Sequence, residues 1–495
     1  MTASLAAGLP DGFEVSIRAD VRCLGDGRVL VGGSPLRAIR LTEGAVELMD
    51  RGRLRVVDRR SGVLAQRLLD ANVADPVLAT MTPTDSITVV IPVRDRPEQL
   101  DHALAALHPL PTLVVDDGST DPEAVAEVVA RHGARLVPLR VNVGPAGARN
   151  AGLATVTSPY VAFVDSDVEV TAEGLMRLAR HFEDPRVALV GPRVVSVARS
   201  VQPRWHERYD EHTSSLDLGG RACSVRPGAA VGWLPSACVV GRVHLLAGGF
   251  DDRLRIGEDV DLVWRLVAAG HTVRYDPTVV ARHDTRPTLA GWLGRKFAYG
   301  TGGAVLAQRH GDHTAVARLS PAMALAAGAL LLRRRWSVPV AAACLARSAS
   351  SLAASLPELV VTPRLVTQLS ARGLGWSLRQ ESSLLLRHWW PAAVVGAIAS
   401  RSVRRAVVTA CVVDVVAAAS EGVRDRPVAA FVGRRMDDLA YGGGLWWGSV
   451  RARSPWALSV QWASRPGSAR RHGRMLTDSH RANATLENMI GGWKG

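Results

Sequence analysis

The chain has 495 residues and a formal net charge of +14, with 60 lysines and arginines against 46 aspartates and glutamates. A chain of this length is expected to form two or three domains and can bury a sizeable core. Its five cysteines are odd in number and scattered without a C-x-x-C spacing, which argues against a disulfide framework and predicts reduced thiols, as in the cytoplasm. Residues 1–10 lack the basic and apolar regions of a secretory signal.

Residues 1–80 predict a small α+β module. The segment 29–41 is typical of a short strand, a turn and a returning strand, and helix-like stretches follow at 42–51 and 62–72. A linker at 80–85 then separates this module from the rest of the chain. These elements favour a winged-helix-like domain that recognises a peptide. The alternative is a structural buttress for the sheet that follows.

Strands and helices alternate in the next segment. The β-branched run 87–91 predicts a buried parallel strand that Pro92 ends, and residues 97–107 predict a helix. Further strands are expected at 113–115 and 160–164. This alternation is typical of an α/β domain in which ligands bind at the C-terminal ends of the strands.

Acidic and glycine-rich residues follow these strands. Asp116 and Asp117 come at the end of the second strand, before Gly118, and could bind a base or a ribose. Residues 142–152 hold several glycines that let the backbone approach a ligand, and Arg149 within them can contact a phosphate or a base. The alternative is an ordinary α/β domain whose strand ends happen to be acidic.

Asp165 and Asp167 come directly after the third strand. Because alternate residues of an extended chain point the same way, the two carboxylates predict a site for Mg²⁺ or Mn²⁺. Such a metal would neutralise the charge that develops on a leaving diphosphate. An Asp-x-Asp pair taken alone is more often a capping or turn device. The ordered series of features around it favours the metal.

Two further acids begin a predicted helix. The apolar residues of 262–267 recur at helical spacing and place Glu258 and Asp259 at the helix N-terminus. In the context of the other motifs we expect Asp259 to be a general base that takes a proton from an acceptor hydroxyl, and Glu258 either to orient it or to contact the acceptor. The alternative is a capping pair that the helix dipole favours. His283 ends a strand-like segment, where it is either a metal ligand or a structural histidine.

Together these motifs resemble the family 2 glycosyltransferases, whose GT-A fold is Rossmann-like with a mostly parallel sheet. The resemblance covers about residues 86–310. It rests on five segments, namely Ile91-Pro-Val-Arg-Asp95, Asp116-Asp-Gly-Ser119, Gly144 to Asn150, Asp165-Ser-Asp167 and Glu258-Asp259. It implies a nucleotide sugar, a divalent metal under its diphosphate, and a single displacement that inverts the anomeric carbon.

The resemblance also implies a role for each site residue. The catalytic residues would be Asp259 and Glu258, and the metal ligands would be Asp165, Asp167 and His283. Arg94 and Asp95 stand where the family more usually has Tyr-Asn, so the base contacts differ there. The full set of expected nucleotide-sugar contacts is Arg94, Asp95, Asp116, Asp117, Arg149 and Asp165.

A closer similarity extends over most of the chain. The stretches Leu24 to Gly27, Gly32 to Pro35, Asp70 to Asp75 and Val90 to Asp95 are similar to an actinobacterial subgroup of this family. That subgroup modifies a peptide-derived redox cofactor precursor. The similarity implies UDP-glucose as donor, a small peptide-derived acceptor and a β-1,4-linked oligosaccharide as product.

The C-terminal part of the chain differs in composition. Residues 320–495 hold 23 of the lysines and arginines, 9 of the acids and nine of the 13 tryptophans. Their apolar runs fall short of the roughly 18 to 20 residues that span a bilayer, so 320–464 predicts helices on an anionic membrane surface. The alternative is a helical domain packed on the catalytic one. Residues 465–495 predict a flexible tail.

Three functions are compatible with these features. The first is the cofactor-modifying glycosyltransferase, in the cytoplasm or on the cytoplasmic side of the membrane. The second is a membrane-associated cell-envelope glycosyltransferase that acts on a lipid or a glycan. The third is a non-catalytic membrane scaffold, which the intact acidic motifs disfavour. Nucleic-acid binding is not expected, because no nucleic-acid motif accompanies the positive charge.

Overall fold

A computed structural model of the chain describes residues 8–34, 36–78, 86–355, 362–420 and 427–462. The predicted tail, 465–495, lies outside the described residues. The strands are β1 (Glu14–Ile17), β2 (Arg22–Leu24), β3 (Val29–Gly32), β4 (Arg37–Arg40), β5 (Arg53–Arg55), β6 (Ala74–Val77), β7 (Ile87–Val93), β8 (Thr112–Asp116), β9 (Arg135–Pro138), β10 (Tyr160–Val164), β11 (Val168–Glu169), β12 (Val187–Val197), β13 (Cys223–Val225), β14 (Cys238–Arg242), β15 (Thr272–Asp284), β16 (Ala317–Leu319) and β17 (Val460–Trp462).

The helices fall into two groups along the chain, shorter ones between the strands and longer ones after residue 320. They are α1 (Glu43–Glu47), α2 (Arg59–Asp70), α3 (Pro97–Leu107), α4 (Pro122–Arg131), α5 (Gly144–Leu153), α6 (Ala172–Ala179), α7 (Trp205–Thr213), α8 (Glu258–Ala268), α9 (Leu289–Thr301), α10 (Gly303–His310), α11 (Pro321–Leu332), α12 (Ser337–Ser355), α13 (Pro363–Ser383), α14 (Trp390–Ala399), α15 (Arg401–Ser420) and α16 (Pro427–Arg451).

The described residues divide into two compact units. The first unit comprises residues 8–18 and 47–287, and the second comprises residues 19–46 and 288–462. The segment 1–80, which the sequence predicts as one module, is therefore shared between the units. The C-terminal segment of the second unit begins at residue 288, just before α9 and ahead of the boundary near residue 310 that the sequence resemblance suggests.

A nine-stranded mixed sheet forms the centre of the first unit, in the order β11-β15-β12-β14-β10-β7-β8-β9, with β13 paired to β15. The strands β10, β7, β8 and β9 are parallel to one another. Because β14 is antiparallel to both β10 and β12, and β15 is parallel to β12, the C-terminal ends of β10 and β15 meet at one edge of the sheet. That edge collects the predicted site residues.

Helices cover both faces of this sheet. Leu100 of α3, Val125 of α4 and Leu175 of α6 are buried in the core on one face. Ala148 of α5 and Leu262 of α8 are buried in the core on the other. Burial on both faces explains why the strands are continuous β-branched runs instead of alternating ones. The predicted α/β class with a mostly parallel sheet is confirmed, with β14 as an antiparallel strand inside it.

The N-terminal part of the first unit supports the β13–β15 edge. Strands β5, β1 and β6 form a small antiparallel sheet, and α2 precedes Asn72, which is buried and has a φ of 55°. The Ser224 backbone N–H donates to Asn72 Oδ1 at 2.6 Å, and the side chain of Arg18 donates to the Ala222 carbonyl. These contacts agree with the buttress interpretation of this segment.

The second unit is largely helical. Strands β2, β3 and β4 form a three-stranded sheet, and Val29 and Val31 pack with Met323, Leu352 and Leu365 of the long helices. Among the described helices, α12 is the one long and apolar enough to cross a membrane, while α11 and α14 are apolar but shorter. The helix α12 contains an apolar stretch of 18 residues, Ser337–Ala354, which is longer than the runs that the sequence analysis expected in this part of the chain.

Asn72 provides a test of the buttress. Asn72→Ala removes the acceptor for the Ser224 N–H and places alanine, which adopts a positive φ less readily than asparagine, at a φ of 55°. We therefore expect a loss of about 2–3 kcal/mol in the free energy of unfolding. Asn72→Gly tolerates the positive φ and should lose about 1 kcal/mol less. Urea unfolding of the full chain measures both. Equal stability of the unchanged protein and both variants would show that Asn72 does not support the β13–β15 edge.

Candidate active site

The first part of the site is formed by two loops that contact each other, one after β7 and one after β8. Asp95 has a φ of 55°, and its Oδ1 accepts from the Thr120 backbone N–H at 2.6 Å, while its own N–H donates to Ser119 Oγ. The Thr120 N–H holds the pKa of Asp95 below its usual value. Asp116 Oδ1 accepts from the Ser119 N–H at 2.9 Å. Asp95 therefore joins the loop after β7 to the loop after β8, and Asp116 shapes the loop after β8.

Asp117 fixes the start of α5. Its carboxylate accepts from the backbone N–H groups of Val143 and Gly144, at 2.7 and 2.9 Å, and from the Asn142 side chain at 2.9 Å. A carboxylate at this position is favoured by the positive end of the helix dipole. Gly144 has a φ of 85°, a conformation that glycine adopts readily. Asp117 thus orders the glycine-rich helix that carries Arg149.

Arg149 lies at the centre of the site. It is 2% exposed, and its two terminal nitrogens donate to Asp165 Oδ1 at 2.6 Å and to Glu258 Oε1 at 3.2 Å. The guanidinium also lies 5.3 Å from the centre of the Phe250 ring. Burial acts to lower the pKa of Arg149, but the charges of Asp165 and Glu258 outweigh it and the pKa is raised. One arginine therefore joins the end of β10 to the start of α8.

Asp167 belongs to a second cluster. Its carboxylate accepts from Arg96 and, at 3.2 Å, from Arg286, and the ring of His283 lies with Nε2 3.7 Å from Asp167 Oδ1. The pairing of Val168 with His283 across β11 and β15 explains this proximity. Both Asp167 and His283 are buried. The structure therefore brings His283, which the sequence analysis gave as a metal ligand or a structural histidine, next to the second acid of the Asp-x-Asp pair.

Asp167 and His283 supply a carboxylate and an imidazole, which fit a metal such as Mn²⁺. Asp165 is directed to Arg149 instead, and no group of three His, Cys, Asp or Glu side chains is gathered for a metal within the described part of the chain. Two protein donors suffice where the phosphates of a substrate complete the coordination. The residues present therefore fit a metal held jointly with a diphosphate.

Asp259 lies in the first turn of α8, after Gly257 with its φ of 86°. Asp259 Oδ1 accepts from the Val260 N–H at 2.8 Å and Oδ2 accepts from the Ser236 N–H at 3.3 Å. Burial, reinforced by the charge of Glu258, raises the pKa of Asp259 to about 7. A carboxylate with a pKa near neutrality is suited to general-base chemistry.

The start of β14 links the two halves of the site a second time. The Asp165 N–H donates to the Ala237 carbonyl at 2.9 Å, and the neighbouring Ser236 N–H is the one that donates to Asp259. Asp261, by contrast, accepts from Arg265 at 2.7 Å and has a structural role. Asp165, Glu258 and Asp259 are thus held together with Arg149.

Some site residues were not found by sequence reasoning. Arg96 and Arg286 both contact Asp167, whereas the predicted contact Arg94 is 53% exposed and lies against Asp95. Asn150 is a third such residue. Its side-chain oxygen accepts from the Phe250 N–H and its side-chain nitrogen donates to the Phe250 carbonyl, both at 2.8 Å. The only sequence signal for Arg96 is its place two residues after Arg94. Arg286 has no signal beyond its position close behind His283.

Comparisons with known proteins identify the family of the chain. The Glycosyl transferase family 2 pattern matches residues 88–231, and Glycosyl transferase family group 2 matches residues 160–403. A pre-mycofactocin glycosyltransferase of Mycobacterium tuberculosis is 41% identical over 476 residues, which cover 92% of this chain and 99% of that relative. The chain belongs to the family 2 glycosyltransferases. Its resemblance to that family, and to this subgroup within it, is confirmed.

Two further proteins are less similar to this chain. An uncharacterized glycosyltransferase of Mycobacterium bovis is 35% identical over 211 residues, covering 42% of this chain and 92% of that relative. Among solved structures, a mannosyltransferase of Pyrobaculum calidifontis in complex with GDP-Man and Mn²⁺ is 19% identical. It covers 70% of this chain and 89% of that chain, with a TM-score of 0.36.

The two metal donors yield a prediction. Asp167→Asn and His283→Ala should each weaken Mn²⁺ binding in the presence of UDP by at least about tenfold. Loss of a residue that only supports a metal ligand already weakens metal binding by about that factor, and loss of a direct ligand should cost at least as much. Glu98→Gln, which removes an exposed acid nearby, should bind Mn²⁺ as the unchanged protein does. Calorimetric titration gives the affinities. Unaltered Mn²⁺ affinity in both site variants would show that the metal lies elsewhere.

Proposed function

We propose that this family 2 glycosyltransferase transfers glucose from UDP-glucose to premycofactocin, the peptide-derived precursor of a redox cofactor, and builds a β-1,4-linked oligosaccharide. The observation that carries the proposal is the 41% identity to a pre-mycofactocin glycosyltransferase over nearly the full length of both chains. The acceptor assignment rests on that relative. It does not rest on residues 1–80, which are shared between two units.

In the proposed reaction, the nucleotide sugar binds at the C-terminal edge of the sheet. Asp95, Asp116 and Asp117 lie in the loops that would contact the nucleoside, and Asp167 and His283 would hold Mg²⁺ or Mn²⁺. A bound metal would neutralise the charge on the departing diphosphate. Arg96 and Arg286, which contact Asp167, are close enough to bind the diphosphate as well, and guanidinium groups suit phosphate oxygens.

Asp259 would accept the proton of the incoming hydroxyl. The oxygen then forms a bond to the anomeric carbon while the bond from that carbon to the diphosphate breaks, and the electron pair leaves with UDP. One displacement inverts the anomeric carbon, so an α-linked donor gives a β-linkage. Arg149 neutralises Glu258 next to the base. Without that neutralisation, two adjacent carboxylates would drive the pKa of Asp259 higher still.

A second candidate function is transfer to a lipid or glycan of the cell envelope, with the same catalytic residues. The second unit favours it, because several valines and tryptophans of its helices are exposed, among them Trp336, Val395 and Val416. Both candidates would place the enzyme in the cytoplasm or on the cytoplasmic side of the membrane. They differ only in the acceptor.

A donor and acceptor screen tests the function. Purified full-length protein is incubated with Mn²⁺ and with UDP-, GDP- or dTDP-sugars, with and without premycofactocin, and products are read by mass spectrometry. We expect hexose addition from UDP-glucose that depends on premycofactocin and stops on chelation of the metal. Turnover of a donor at the same rate with and without premycofactocin would favour the cell-envelope acceptor. A protein without any transfer or nucleotide binding would contradict both functions.

The pH dependence tests the base. Because Asp259 must be ionised to accept a proton and its pKa is about 7, kcat/KM should fall about tenfold per pH unit below 7 and level off above it. Asp259→Asn should lower kcat by at least about a hundredfold. Asp252→Asn, which alters an exposed acid of the preceding loop, should leave the profile unchanged.

Stability separates loss of the base from misfolding. The pKa of Asp259 is raised above its unfolded value of 3.8, so the stability that its protonated form contributes is complete below that value and is lost as the pH rises through about 7. Asp259→Asn cannot ionise and should be at least as stable as the unchanged protein at pH 8. If Asp259→Asn is inactive but folded, the loss of activity reflects loss of the base. If Asp259→Asn is fully active, Asp259 is not the base.

A further inference from the structure

The exposed face of α15 has an unusual composition. Of residues 401–418, those exposed are 401, 404, 405, 408, 412, 415 and 416, a spacing that forms one stripe along a helix. The first three positions of the stripe are arginines and the last four are valines. The exposed fractions of the valines run from 48% at Val415 to 64% at Val416. A solvent-facing stripe would ordinarily be polar along its whole length.

The three arginines lie at the N-terminal end of α15, where the helix dipole disfavours positive charge. Cations are favoured near a helix C-terminus and disfavoured in the first turn, yet Arg401, Arg404 and Arg405 open α15. The one acid of this helix, Asp414, is bound by Arg434 and Arg435 of α16. The positive charge at the start of α15 is therefore not explained by pairing with that acid or by the helix itself.

A second basic turn lies beside the first. Arg333, Arg334, Arg335 and Trp336 connect α11 to α12, and all four are exposed. The Arg334 guanidinium donates to Ser402 Oγ at 2.8 Å, so the turn before α12 and the turn before α15 lie at the same end of the second unit. Six exposed arginines thus share this end, which we term the basic end: Arg333, Arg334, Arg335, Arg401, Arg404 and Arg405.

Apolar side chains surround the basic end. Ile398, at the close of α14, is 78% exposed, and Val338, in the first turn of α12, is 69% exposed. Trp336, in the turn before α12, is 45% exposed. Tryptophan and arginine beside exposed aliphatic side chains are typical of helices that lie in the headgroup region of a bilayer, where the charge meets phosphate and the apolar groups enter the acyl boundary.

We propose that the basic end docks on anionic phospholipid headgroups and holds the enzyme peripherally on a membrane. The proposal goes beyond the glycosyl transfer and does not depend on which acceptor is used. Charge complementarity selects the partner, since six arginines attract an anionic surface. A second copy of the chain is disfavoured, because a two-fold contact would bring the same arginines together. A nucleic acid would leave Ile398 and Val338 in water.

The mode of binding is peripheral instead of spanning. Although α12 is apolar enough to cross a membrane, it packs against α11 and α13, and its Leu352 is fully buried beside Val29 and Leu365. Crossing a bilayer would break this core. The tips of α12, α14 and α15 can reach the headgroups without any change in their packing.

Vesicle sedimentation tests the proposal. Full-length protein should bind vesicles of phosphatidylglycerol and phosphatidylcholine, release with rising salt, and bind pure phosphatidylcholine far more weakly. Arg404→Glu/Arg405→Glu should reduce the partition coefficient at least about 25-fold, since each basic residue near an anionic bilayer contributes roughly fivefold. Arg59→Glu/Arg60→Glu makes the same charge change at exposed positions of the first unit and should bind normally.

Three results would overturn the proposal. Equal binding to neutral vesicles, or binding that Arg404→Glu/Arg405→Glu leaves unchanged, would place the contact elsewhere. Resistance to extraction from native membranes at high salt and alkaline pH would show that α12 spans the bilayer. Glucosyl transfer to soluble acceptor and the melting temperature should not change in the α15 variant. Failure of the membrane proposal is thus distinguishable from failure of the enzyme or of its fold.

Discussion

The candidate active site depends on the two ion pairs that the buried guanidinium of Arg149 makes. The guanidinium contacts Asp165 after β10 and Glu258 at the start of α8, two elements 93 residues apart in the sequence. Removing one partner from a buried ion pair costs about 3–5 kcal/mol, because the remaining charge is left uncompensated. The position of α8 relative to the sheet is therefore set by electrostatics as well as by the apolar core beneath it.

This arrangement gives each acid of the site a different environment. Asp165 and Glu258 are neutralised by Arg149, and Asp167 is neutralised by Arg96 and Arg286. Asp259 receives two backbone N–H groups but no direct arginine contact in the hydrogen bonds that the described residues make. Because burial and Glu258 raise its pKa, Asp259 is the acid suited to exchange protons near neutral pH, which supports the base role proposed for it.

Much of the first unit was predictable from the sequence because local signals mark it. The run 87–91 became part of β7, the helix predicted at 97–107 is α3, and the strand predicted at 160–164 is β10. The prediction that Pro92 ends the first strand was wrong, because β7 continues through Pro92 to Val93. The helix α3 begins at Pro97 as predicted, since proline is favoured at the first helical position. The helix that begins at Glu258 followed from the spacing of its apolar residues.

The remaining features depend on partners distant in sequence. Nothing local indicates that β14 inserts antiparallel between β10 and β12, or that Arg96 and Arg286, 190 positions apart, both contact Asp167. The division of residues 1–80 arises because β3 packs with α11, α12 and α13, helices some 300 residues later. Likewise, the exposed stripe of α15 is visible only once its buried face is known.

A double-mutant cycle on Asp165 and Glu258 would test the central role of Arg149 most directly. The variants Asp165→Asn, Glu258→Gln and the combination are compared by kcat/KM for glycosyl transfer. If Arg149 couples the two acids, the combined loss should be smaller than the sum of the single losses by at least about 1 kcal/mol. Losses that add to within about 0.5 kcal/mol would show that the two acids act independently, and would contradict the account.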